Sequence, residues 1–218
     1  MKHRQLHLVV VLIALALAVA SPASAQVLYE DGPINGETDG WTINFGFVIS
    51  DTLTISTGNS TVTGLSFGAW LTPGDVLESA QVTISSEEIG GTVYFNGVVN
   101  FTQSACFVNN YGFDVCTETG NFNRPTLQNG TTPWLSLQNA VVTNGDPVYW
   151  DENSGVGCHS PGCPSEAGNG GLGTLPSEAF TVFGTGSGQG SVPEPGSLAL
   201  VGGGLFAVVE TLRRRYRL

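Results

Sequence analysis

Basic residues are the scarcest feature of this 218-residue chain, which has only seven Lys and Arg against eighteen Asp and Glu. Six of the seven lie near the two ends (Lys2, Arg4, Arg213, Arg214, Arg215 and Arg217), so the middle keeps Arg124 alone beside sixteen acids. A middle of that charge excludes a general nucleic-acid binder, because neutralising phosphates needs Lys and Arg. It also argues against phosphoryl-transfer enzymes, which clamp phosphate with the same side chains. Between the ends there is no Lys and one His, His159, and no Gly-x-Ser-x-Gly nucleophile elbow. Long stretches with helical periodicity are absent there as well. Charged residues make up 11% of the chain, against roughly 25% in an average soluble protein.

What is present points to a turn-rich β protein: thirty Gly, with abundant Thr, Ser and Asn. Trp41, Ile43, Phe45, Phe47 and Ile49 alternate with mostly polar neighbours and predict one half-buried strand. Leu53 and Ile55 predict a second. Leu65, Phe67, Ala69 and Leu71 alternate again before a turn at Pro73-Gly74-Asp75. Ala80, Val82 and Ile84 form the next face. Further strands are predicted at 92–101, 107–116, 134–142, 148–150 and 179–183. About nine short strands predict an all-β antiparallel sandwich of jelly-roll type. Residues 155–175 read as a long loop.

The two ends read as addresses. Lys2 and Arg4, an apolar run from Leu8 to Ala20, and Ala23-Ser24-Ala25 have the three parts of a secretory signal helix, with cleavage by signal peptidase expected after Ala25. Residues 26–184 are then the ectodomain, 185–192 a Gly/Ser linker and 193–218 a tail. In the tail, Ser197–Leu212 is largely apolar and ends at Arg213-Arg214-Arg215. As a helix of about 24 Å it would be a short, weak membrane span. The arginines would keep its carboxyl end cytoplasmic. A plain membrane anchor is the competing reading.

Pro193-Glu194-Pro195, then an apolar run, then an arginine cluster resembles the PEP-CTERM protein-sorting signal. That resemblance implies an exosortase, a membrane-embedded transpeptidase of Gram-negative bacteria, as processing partner. It also implies transient residence in the inner membrane, cleavage near Pro193-Glu194-Pro195, and delivery to the cell surface or outside, often beside exopolysaccharide. Segments 38–50, 62–74, 138–155 and 173–180 resemble a recurring ectodomain of PEP-CTERM proteins. That second resemblance implies a secreted β domain and supplies no catalytic residues.

Four cysteines, Cys106, Cys116, Cys158 and Cys163, read as two disulfides in an exported chain. Three pairings are possible, and the local one (Cys106–Cys116 with Cys158–Cys163) is expected. A zinc site around Cys158, His159 and Cys163 is the alternative. Two acidic segments, one with Asp31 and Asp39 and one with Asp151 and Glu152, have the carboxylate density of a calcium loop, although solvated turns in an acidic protein are the favoured reading. Tyr149 and Trp150 beside these acids would suit stacking on a sugar ring, and core packing is the competing role for the tryptophan. The expectation is a non-enzymatic, surface-directed structural or matrix protein without an obligatory cofactor. A calcium-assisted carbohydrate-binding module comes next, then a glycosidase using two carboxylates.

Overall fold

The computed structural model describes residues 26–55, 58–88, 90–122, 125–153 and 177–186. The expected signal and tail helices, the 155–175 loop with Cys158, His159 and Cys163, and most of the linker lie outside them. Among the described residues there is no helix, and every strand pairing is antiparallel.

Eleven strands form: β1 (Gln26–Asp31), β2 (Gly40–Thr42), β3 (Val48–Thr52), β4 (Ser60–Leu71), β5 (Leu77–Ser85), β6 (Val93–Val108), β7 (Asp114–Asn121), β8 (Thr126–Leu127), β9 (Trp134–Val142), β10 (Tyr149–Asp151) and β11 (Phe180–Gly186). Their path is β1-β11-β4-β7-β6-β5-β9-β3, with β10 joined to β2 and β4, and β8 to β4. β6 turns the corner. Its first half, to Asn100, pairs with β5, and its second half, from Phe101, pairs with β7. A strand that passes from one layer to the other curls the sheet over its own apolar face. The result is a sandwich-like half-barrel.

The alternating apolar residues line the inside of that curl. Leu65, Phe67, Ala69 and Leu71 of β4 face Ala80, Val82 and Ile84 of β5 and Leu135 and Leu137 of β9 in one fully buried cluster. Phe67 meets Phe101 and Trp150 edge-on, the arrangement aromatic rings prefer.

Four sequence expectations change. The predicted strand from Trp41 to Ile49 is broken into β2 and β3 by a turn, with Phe45 and Gly46 in the left-handed region (φ 55° and 89°). Phe45 and Phe47 are therefore exposed, at 65% and 43%. Asn44 holds this turn by donating to the Asp146 carbonyl and accepting from the Val148 amide. Leu53 and Ile55 are buried but lie outside any strand, bonded through their amides to Pro133 and Thr131. The predicted strand 107–116 instead holds a hairpin turn, because β6 ends at Val108 and β7 starts at Asp114. Cys106 and Cys116 are disulfide-bonded across that hairpin. This removes both from any zinc site. β11 runs to Gly186, so Thr185 and Gly186 of the expected linker pair with Thr61 and Ser60.

Candidate functional site

The two acidic segments that the sequence separates by more than a hundred residues converge at one end of the sheet. β10 carries Asp151 at its end, and Glu152 and Asn153 follow. The 32–39 loop after β1 wraps over them. Gly68 on β4 leaves the space, since a β-carbon there would sit 2.7 Å from that of Asp151.

Asp151 is fully buried. Its carboxylate accepts from the Trp70 indole N–H (2.6 Å), the Asn35 amide (2.8 Å) and the Gly36 amide (3.0 Å). Glu152 accepts from the Trp41 indole N–H (2.9 Å), and its amide donates to the Asp39 carbonyl (3.0 Å). The Asn153 side-chain amide donates to the Asp31 carbonyl (2.8 Å) and approaches the Glu178 carbonyl and Ser177 Oγ, each at 3.3 Å. Ser177 Oγ lies 2.7 Å from Asp31 Oδ2 and 3.3 Å from Asp51 Oδ2. Asp51 also accepts from the Glu178 amide (2.8 Å). Neither carboxyl oxygen of Glu178 has a hydrogen-bond partner, and the side chain is fully buried.

No Lys, Arg or His occurs among the described residues, so no described side-chain cation offsets this charge. Burial consequently dominates the electrostatics. It pushes Asp51 up to about 7, with the Asp31 charge adding to the effect and the Glu178 amide opposing it. Glu178 is raised well above the usual carboxyl range by burial, then by the neighbouring Asp51, Glu152, Asp151 and Asp39. Asp151 and Glu152 are raised too, again by burial, against the pull of their indole donors. Another buried acid, Glu118 on β7, stands apart from this group and is raised to about 7 by burial alone.

Of the residues expected to hold calcium, Asp31, Asp151 and Glu152 are buried within this network, while Asp39 is exposed. Asp151 and Glu152 already have protein donors. Among the described residues no three His, Cys, Asp or Glu side chains are grouped as metal ligands.

The expected sugar platform is corrected. Trp150 is fully buried, its indole N–H donates to the Ala179 carbonyl (3.1 Å), and its ring packs against Phe67 and Phe180. It is a core residue. Tyr149 points to the opposite side and meets Phe113 edge-on. The exposed aromatic there is Tyr111, 59% accessible and stacked on Trp70. Sequence reasoning missed Tyr111, Asp51, Ser177, Glu178 and Glu118. The alternation Cys116, Glu118, Gly120 was the available signal for Glu118.

Residues 191–215 match the family model of the PEP-CTERM protein-sorting motif. The match includes Pro193-Glu194-Pro195 and Arg213-Arg214-Arg215. It marks the chain as exported and as a substrate for exosortase processing, held transiently in the membrane beforehand. No curated protein matches the chain, and no solved structure does. The PEP-CTERM motif therefore speaks for the tail, and the β domain stands on its own geometry.

Proposed function

We propose that the protein is a non-enzymatic, surface-directed structural domain, associated with extracellular matrix or exopolysaccharide. On this reading a signal peptide is removed after Ala25, and the PEP-CTERM tail holds the precursor in the inner membrane with its arginines cytoplasmic. An exosortase then cuts near Pro193-Glu194-Pro195, leaving a jelly-roll-like sandwich on or outside the cell. The observation that carries this reading is the motif at residues 191–215. The burial of the acids that would otherwise be candidate catalytic carboxylates supports it. Intact mass of the native protein, fraction by fraction, is the test. Loss of residues 1–25 and of the segment beyond Pro193-Glu194-Pro195 is the expected outcome. A species that keeps Arg213–Arg217 in every fraction would mean a plain anchored domain instead.

A second reading rests on Tyr111, whose exposed ring stacked on Trp70 offers a flat face for a sugar. Titration with neutral polysaccharides should then change tryptophan fluorescence, and Tyr111→Ala should abolish the change.

A further inference from the structure

β1 and β3 are the two ends of the strand path and share no ladder. What joins them is side-chain chemistry. Ser177 Oγ touches Asp31, at the end of β1, and Asp51, within β3. A hydroxyl has one hydrogen to donate. Two buried carboxyls therefore divide a single hydroxyl hydrogen, and a proton held by either of them would relieve the repulsion between them. Immediately behind, Glu178 lies sealed with no donor to either oxygen, a site in which an ionised carboxylate is very costly. Among the described residues, the titratable groups that face this junction are Tyr29 and Asp31 from β1, Asp51 from β3, Asp39 from the loop ahead of β2, Asp151 and Glu152 from the end of β10, and Glu178 from the segment ahead of β11. All are acids or a tyrosine, and no cationic side chain is among them.

We propose that this seam is a proton-operated clasp: a proton shared across Asp31, Ser177 and Asp51, with a neutral Glu178 behind it, fastens β1 and the segment before β11 to β3, and losing those protons loosens the junction. The sign follows from the raised carboxyls. Stability from such a group is complete below the ordinary carboxyl range and is lost as pH rises through its value in the fold. For Asp51 that value is about 7. The clasp is thus tight in mildly acidic surroundings and slack in alkaline ones. It sits at the base of segment 154–176, whose two flanking residues, Asn153 and Ser177, are bonded to each other.

The test uses the full-length chain in detergent, followed by thermal unfolding and amide hydrogen exchange from about pH 5.5 to about pH 8.5. The Glu178 amide, which donates to Asp51, should lose about tenfold or more of its protection across that range, while the Val82 amide in β5 keeps its own. Glu178→Gln and Asp51→Asn should each flatten the pH dependence of that protection. Glu118→Gln should leave it intact, because Glu118 lies on β7. Should Asp51→Asn fail to fold, Glu178→Gln carries the test alone, since it breaks no hydrogen bond. Constant protection of the Glu178 amide across the range overturns the proposal. So does recovery at alkaline pH on adding calcium that Glu178→Gln abolishes, because a cation would then close the seam.

Discussion

Asp151 and Glu118 are both sealed from solvent, yet the fold surrounds them in opposite ways. Three N–H groups from Trp70, Asn35 and Gly36 converge on Asp151. Glu118 lies directly across from Phe67 on β4 and Gln103 on β6, and neither of its oxygens has a donor. Burial raises both carboxyls. The difference lies in what each group does for its neighbours. Asp151 ties the 32–39 loop to the sheet, and removing it would strand three donors. Glu118 ties nothing down, and burying it costs stability once it ionises. Burial of an acid therefore does not reveal its role; the donors around it do.

The contrast can be broken in several ways. Asp151→Ala should destabilise the domain by about 4 kcal/mol in urea unfolding, since it leaves an indole and two amides unpaired. A loss below about 1 kcal/mol would show that water replaces the carboxylate. Asp75 is an intermediate case, with one oxygen accepting from Thr143 Oγ1 and from the amide and side chain of Asn144 and the other unbonded. Asp75→Ala should cost about 2 kcal/mol. Glu118→Gln should act in the opposite direction and stabilise by about 1–2 kcal/mol above about pH 7.5, with no gain near pH 4, because the wild-type penalty builds up between the ordinary carboxyl range and the raised value. A loss at both pH values would mean that Glu118 has a partner after all. The smallest effect, under about 1 kcal/mol, is expected for Tyr111→Ala, which uncovers the outer face of the Trp70 ring without touching its bond to Asp151.

Much of the fold could be read from alternation. Residues 134–142 coincide with β9, and Leu65, Phe67, Ala69 and Leu71 line the inner face of β4 as expected. Alternation misled between Trp41 and Ile49, where a left-handed Phe45-Gly46 pair turns the chain and exposes both aromatic residues beside it. Val148 and Trp150 share one buried side of the chain while Tyr149 faces the other, so period two already separated the pair that seemed to form one platform. The acidic segments were legible as unusual but not as one site. Asp151 takes its donors from residues 81 to 116 positions away, and no local pattern encodes such a meeting. The Cys106–Cys116 disulfide follows from a hairpin that residue spacing made plausible.

One feature of the strand path bears on how the domain is assembled during export. β11, the last of the described strands, is not at an edge; it is inserted between β1 and β4. A chain threaded outward from its amino end delivers β1 first, with its neighbour still on the other side of the membrane. The slot between β1 and β4 stays open until Phe180–Gly186 arrives, a few residues ahead of the PEP-CTERM motif. Non-local pairing of this kind is slow to form. On the proposed export route the sheet would thus serve as a completeness check, because only a chain that has crossed almost to its sorting motif could close it.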